Sequence, residues 1–165
     1  MVVSTGIGGG FVIDGKLLDG EMGNAGHIGH INVEPDGPMC ACGSNGCLEA
    51  VASGGAIEKE TGMPATEASE EVKIRCGYFV GKAVSIAVNL LNIPTVLIGG
   101  SVALGFGPIF LNQVRSTAAS FCGLDFTKNL QVNFASLKDE GGKNLMSDLL
   151  KRNKEITSHQ QENQQ

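Results

Sequence analysis

His30, Cys40, Cys42 and Cys47 fall within eighteen residues and together make a complete donor set for one tetrahedral zinc. Structural zinc sites commonly use three thiolates and one imidazole, because these ligands suit a borderline-soft d10 ion. Gly43, Asn45 and Gly46 can take the tight turns that bring Cys42 and Cys47 to one metal. The competing reading is a set of unrelated thiols, or a disulfide such as Cys42 to Cys47, although nothing else in the chain points to an oxidising compartment. Cys76 and Cys122 sit among apolar neighbours and read as small buried hydrophobes rather than reactive thiols.

A second chemical signal lies upstream, in Thr5-Gly6-Ile7-Gly8-Gly9-Gly10. Glycines let backbone amides approach an anion closely, and a threonine hydroxyl can donate to a phosphate oxygen. A glycine-rich turn alone is more often the bend of a hairpin. Glu49 directly follows the last ligand run, and a glutamate there is also what a helix N-terminus favours through its dipole.

The elements that must hold these residues follow from periodicity. Val2 to Thr5 reads as a strand running into the glycine loop. Phe11-Val12-Ile13 then turns at Asp14-Gly15 toward Lys16-Leu17-Leu18, a strong hairpin signal because both central residues accept positive φ. Residues 19–49 form a glycine-rich excursion without helical period, with Ile31-Asn32-Val33 its one strand-like piece; a stretch this long needs a metal or ligand to order it. The chain turns helical from Ala50, breaks around Gly62 and Pro64, and restarts at Ser69. Val72, Cys76, Phe79, Val80, Ala83, Val84, Ala87, Val88 and Leu91 then recur at three- and four-residue steps, the stripe of a long core-facing helix that Pro94 bounds. Thr95 to Ile98 reads as a strand buried on both faces, with a sharp turn at Gly99-Gly100-Ser101. A helix over about Pro108 to Ser120, a strand over Leu130 to Phe134 and a last helix over Lys143 to Lys151 complete an α/β domain with a mixed sheet. That domain covers residues 1–152, with the zinc loop at 27–49. The polar, Gln-rich tail at 153–165 reads as disordered.

Twelve basic against seventeen acidic side chains give a net charge of −5, which leaves no electrostatic footprint for a nucleic-acid backbone. No charged leader followed by an apolar core opens the chain, and no run approaches the roughly 20 apolar residues that span a bilayer. The expectation is a soluble cytoplasmic protein with neither nucleic-acid nor membrane partner.

Val3-Ser4-Thr5-Gly6-Ile7-Gly8-Gly9-Gly10-Phe11, continuing through Gly20 and Gly26 to Gly29-His30, resembles the signature of the ROK family of sugar kinases and sugar-responsive repressors. The run Cys40-Ala41-Cys42-Gly43-Ser44-Asn45-Gly46-Cys47-Leu48-Glu49 is similar to that family's C-x-C-G-x-x-G-C-x-E. Ala52-Ser53-Gly54 and Val96-Leu97-Ile98-Gly99-Gly100 extend the likeness to about residue 150. The resemblance implies the C-terminal lobe of an actin-like, ribonuclease H-like ATPase fold. It implies a phosphate role in ATP binding for Thr5, Gly6, Gly8 and Gly9, and a place near adenosine for Gly99 and Gly100, with Mg2+ accompanying the nucleotide. His30 would bind zinc through one ring nitrogen and face the sugar with the other, and Glu49 would accept from sugar hydroxyls. The sugar would be a hexose or N-acetylhexosamine.

Two departures qualify the expected activity. His27-Ile28-Gly29-His30 stands where family kinases show Glu-x-Gly-His, and a neutral histidine offers a sugar only one acceptor nitrogen. His27 could also compete for the metal, though the spacing of His30 fits better. The family's Asp-x-Gly-Gly-Thr loop and its Asn-Asp pair, which carries the general base, are absent from these residues. Asp14, Asp19 and Glu21 have no motif that would replace them. The chain therefore reads as a C-terminal half, catalytically weak or inactive alone. It would associate with a missing N-terminal lobe or as a homo-oligomer. Two rival readings are the sugar-sensing, dimerising half of a ROK-type repressor and a truncated, non-catalytic product.

Overall fold

The structure, a computed structural model, describes residues 1–135; the expected helix at 143–151 and the tail at 153–165 lie outside the described residues. The apolar stripe of the sequence lies on one helix, α3 (Glu70–Leu91). Ser69 starts it: its Oγ accepts from Val72 N–H at 3.3 Å, while Glu70 and Glu71 complement the positive end of the dipole. Asn92, left-handed at φ 51°, ends it, and its N–H donates to Val88 O. Ten α3 residues are buried, among them Val80, Ala83 and Val84 with no exposed surface. By length and mean hydropathy alone α3 could cross a bilayer, although charged residues interrupt it and more than half of that stretch is buried within the fold. It serves here as the central helix of the core.

Its main partner is α4 (Ser101–Phe121). A Cβ at Gly77 would meet Gln113 Cβ and Phe110 O, each at 2.8 Å, and one at Gly81 would meet Thr117 Cβ at 2.5 Å. Two glycines four residues apart thus let the helices close on each other and bury Phe110 and Val114 completely. Each such side chain contributes about 1.5–3 kcal/mol on burial. α4 begins seven residues earlier than the expected Pro108. Gly107 leaves helical geometry (φ 65°, ψ −150°), and Pro108 starts the second segment as a first-turn proline can.

The sheet runs beneath these helices. β5 (Thr95–Ile98) pairs in parallel with β6 (Gln131–Phe134), α4 making the crossover. β1 (Val2–Val3) pairs antiparallel with β2 (Ile7–Gly8). Three backbone bonds stitch β1 to the end of β5: Met1 N to Leu97 O (2.8 Å), Gly99 N to Met1 O (2.9 Å) and Val3 N to Gly99 O (2.8 Å). The arrangement is mixed, as expected, but Thr5 to Gly10 is not a continuous loop, since Ile7 and Gly8 lie in β2. β3 (Val12–Ile13) and β4 (Lys16–Leu17) form the predicted hairpin, with Asp14 (φ 51°) and Gly15 (φ 73°) at its turn.

Past the hairpin the chain has little regular structure, with a single 3-10 turn at Ile28–His30. Ile31 to Val33 is not a strand; Asn32 makes only an isolated bridge to Cys47. The predicted helical start near Ala50 resolves into α1 (Leu48–Ala52) and α2 (Gly54–Thr61). Ser53 separates them and caps α2, its Oγ accepting from Ala56 N–H at 3.0 Å.

Candidate functional site

His30, Cys40, Cys42 and Cys47 converge, their ligand atoms all within 4.8 Å of one another. His30 Nδ1 lies 3.6 Å from Cys40 Sγ, and Cys42 Sγ lies 3.6 Å from Cys47 Sγ. Zinc–thiolate bonds of about 2.3 Å put tetrahedral sulfurs about 3.8 Å apart, so these edges match the ion's own geometry. The donor set and its spacing both fit zinc. All the described cysteines are free thiols, which removes the disulfide reading for Cys42 and Cys47 in this structure.

Local backbone chemistry builds the cluster. Cys40 N–H donates to Ser44 O (2.8 Å) and Gly43 N–H returns to Cys40 O (3.0 Å), folding the first two thiols into one turn. Gly46, left-handed at φ 67°, then brings the chain back: its O accepts from Val33 and Glu34, and its N–H donates to Pro38 O. A Cβ at Gly46 would fall on the Glu34 carbonyl, so only glycine fits this position. Cys47 is fully buried at the N-cap of α1, whereas Cys42 is exposed. In the metal-free chain the two thiols shift oppositely. The Ser44 backbone amide, then the Cys47 and Cys40 thiols, lower Cys42 to about 7, and burial first raises Cys47 to about 12. The thiolate therefore forms more readily on Cys42 than on Cys47, whose proton a metal would have to displace.

His27 and His30 stack with ring centroids 5.9 Å apart, so the departure from the family's glutamate lies beside the candidate sugar histidine. His27 does not belong to the four-residue cluster. Glu49 occupies the first turn of α1, where the dipole argument placed it, and does more: its Oε2 accepts from Ile7 N–H at 2.8 Å. A Cβ at Gly6 would meet that oxygen at 2.7 Å, and one at Gly9 would meet Ile28 Cγ2 at 2.9 Å. Gly6 and Gly9 are therefore needed for packing of the hairpin against Glu49 and Ile28. Gly8 differs, because nothing lies within 4 Å of where its Cβ would be.

Thr5 is exposed at the β1–β2 turn, and its carbonyl accepts from Gly55 N–H (3.0 Å) as Ser4 O does from Gly54 N–H (2.8 Å). Ser4 Oγ lies 2.9 Å from Ser101 Oγ, so the fold brings the two candidate nucleotide segments, Thr5 to Gly9 and Gly99-Gly100, side by side. Gly100, at φ 101°, passes against the Val3 backbone. Periodicity did not single out Lys82. Its Nζ donates to Val33 O and sits 5.5 Å over the Tyr78 ring, tying the zinc segment to α3. Nothing in the spacing of α3 sets Lys82 apart from Lys73 and Arg75. A mostly apolar hollow of about 700 Å3 also borders α1, lined by Met39, Ala50, Val51, Lys59 and Phe79 among others.

These elements form a lobe of the actin-like ATPase fold. A ROK hexokinase from Thermus thermophilus superposes with a TM-score of 0.74 at 30% identity, covering 84% of this chain and 52% of that one. A ROK family glucokinase from Streptomyces griseus, solved with glucose and AMPPNP, gives 0.71 at 28% identity over 87% of this chain and 55% of its own. The ROK family pattern matches residues 1–153. The chain belongs to the ROK family. Among curated relatives, N-acetylmannosamine kinase of Vibrio cholerae is 38% identical over 122 residues, 65% of this chain and 42% of the relative. The same-named protein of Salmonella typhi is 37% identical over 131 residues, 70% of this chain and 44% of the relative. The chain thus spans less than half the length of the curated relatives it matches. A ROK family transcriptional regulator, homologous to the E. coli MLC protein, is also similar, with a TM-score of 0.72 at 28% identity over 90% of this chain and 45% of that one.

Proposed function

We propose that this chain is the zinc-bearing, sugar- and nucleotide-binding lobe of an ATP-dependent kinase for a hexose or N-acetylhexosamine, the γ-phosphoryl passing to a sugar hydroxyl with Mg2+ on the nucleotide. The observation that carries this reading is the juxtaposition around Glu49. A four-ligand metal cluster ends one residue before α1, and Glu49 in the first turn of α1 is bonded to the glycine hairpin that begins the candidate phosphate site. His30, Cys40, Cys42 and Cys47 would hold zinc, which supplies a closed structural centre that fixes the orientation of the His30 ring. With Nδ1 turned toward Cys40, Nε2 is the nitrogen left for a sugar hydroxyl. Glu49 accepts from a second hydroxyl, and His27 stands beside them as a neutral donor or acceptor. Thr5 and Gly8 face the phosphates, and Gly99 and Gly100 lie toward the adenosine.

Phosphoryl transfer depends on positioning and on a base near the nucleophile. This chain contains no Asn-Asp pair, so the lobe by itself binds without efficient transfer. Elemental analysis of protein purified without chelator should find one zinc per chain, lost in Cys42→Ser. Calorimetry on the same sample should detect N-acetylmannosamine or glucose and, separately, ATP with Mg2+. Absence of zinc would remove the basis of the reading, and sugar phosphorylation by the pure chain, abolished by Thr5→Ala, would overturn its inactivity. The likeness to a transcriptional regulator over 90% of the chain supports a second reading, a sugar-sensing half of a repressor. Sugar binding without any nucleotide binding would favour it.

A further inference from the structure

We propose that Glu49 is a positioning residue for the glycine hairpin as well as a sugar ligand, one oxygen serving each task. Oε2 accepts the Ile7 amide at 2.8 Å, and among the described residues no hydrogen bond is made to Oε1. The approach is built in from both sides. Gly6 lacks the Cβ that would stand 2.7 Å from Oε2, and Gly29 lacks the one that would meet Ile7 O and, at 3.5 Å, Glu49 Cβ. Below the same hairpin, Ser4 O and Thr5 O are held by the first two amides of α2, and Ser53 N–H closes on Glu49 O at 3.3 Å. The β1–β2 hairpin therefore rests on α1 and α2, and among the described residues Glu49 is the one α1 side chain hydrogen-bonded to it, at Ile7 of β2.

Two consequences follow. With Oε2 turned to Ile7, Glu49 meets the sugar through Oε1 alone, so it does not clasp a vicinal pair of hydroxyls with one oxygen each. Loading of Oε1 also draws on the same group that holds Ile7, so sugar occupancy reaches the amides of residues 4–7 without a nucleotide present. This second consequence rests on the reading of Glu49 as a sugar ligand; the support of Ile7 does not.

The test uses the full zinc-loaded chain, 15N-labelled, with amide exchange and chemical shift of Ile7 read by NMR and N-acetylmannosamine as the titrant. A charge-assisted backbone hydrogen bond protects its donor by tenfold or more, on the order of the 1.5–3 kcal/mol such bonds contribute. In Glu49→Ala, Ile7 exchange should rise about that much while zinc content stays at one per chain. Glu49→Gln, which keeps an acceptor oxygen, should restore most of the protection, and Glu49→Asp, too short to reach, should not. Gly6→Ala should mimic Glu49→Ala at Ile7. N-acetylmannosamine should shift the amides of residues 4–7 in wild type and not in Glu49→Ala. Equal Ile7 exchange in wild type and Glu49→Ala would overturn the positioning role, whatever the sugar does. Retained Ile7 protection together with no amide response to the sugar would instead overturn the sugar role and its transmission, and leave Glu49 a structural support only.

Discussion

Replacing Gly46 by alanine should weaken metal binding by orders of magnitude, whereas the same change at Gly43 should weaken it far less. Both glycines are left-handed, at φ 67° and 92°, so an alanine at either is strained by about 1–2 kcal/mol. At Gly43 nothing lies within 4 Å of the added Cβ, and strain is the whole penalty. At Gly46 the Cβ would fall on the Glu34 carbonyl and stand 3.1 Å from Asn32 Nδ2, so the turn must open. Opening loses the bonds from Val33 and Glu34 to Gly46 O (2.9 and 3.2 Å) and from Gly46 to Pro38 O (2.9 Å). Two or three bonds at about 1 kcal/mol each bring the total to roughly 3–5 kcal/mol. Strain in the closed loop subtracts directly from metal affinity, because the loop closes around the ion. At about 1.4 kcal/mol per decade, Gly43→Ala weakens zinc roughly five- to thirtyfold and Gly46→Ala by two to three and a half decades. Competition against a chromophoric chelator, in reduced protein, measures both. Equal losses in the two variants, or Gly46→Ala within threefold of wild type, would refute the account of how the loop is built.

In the metal-free chain Cys42 should be alkylated first, with its rate rising through about pH 7, while the buried Cys47 and Cys76 react only on unfolding; quantitative mass spectrometry reads the order. Burial also raises Cys76 from 9.0 to about 11, so the folded chain keeps a proton there that the unfolded chain loses. Stability from this group is therefore full below pH 9 and falls as pH climbs toward 11, by about 2–3 kcal/mol, and Cys76→Ala should flatten that slope in urea titrations. Ser53→Ala removes the cap of α2 and should cost about 1 kcal/mol of unfolding free energy. Arg75→Ala breaks a half-exposed pair with Glu60 and should change stability by less than about 1 kcal/mol in the same assay.

The convergence of His30, Cys40, Cys42 and Cys47 was legible because their spacing is local and their chemistry narrow. α3 was legible too, since Ser69, the stripe from Val72 to Leu91 and Pro94 all point the same way. What escaped depended on contacts distant in sequence. β1 and β2 are only two residues long, too short for an alternation to show, and β1 is held to the end of β5 by contacts more than ninety positions away, so Ile7 reads as part of a loop. Gly107 concealed the first turns of α4, because a glycine before a proline reads as an entry rather than a kink. The hairpin glycines also have a packing role beside the phosphate role that the family resemblance implies. Gly6 and Gly9 are explained by the side chains of Glu49 and Ile28, facts of packing that no spacing encodes. Lys82 was invisible for a related reason: its acceptor is a main-chain carbonyl 49 positions earlier, and a carbonyl has no signature in a sequence.

The anchor that Lys82 provides bears on how the metal centre would be emptied and refilled. The ammonium grips the Val33 carbonyl from a helix that does not contribute a ligand, and so holds one end of the loop whether or not an ion is present. Loss of a metal bound there would free the Cys40 to Cys47 turn while Lys82 still ties Val33 to α3. Reloading would then be a short intramolecular closure rather than a search through open chain conformations.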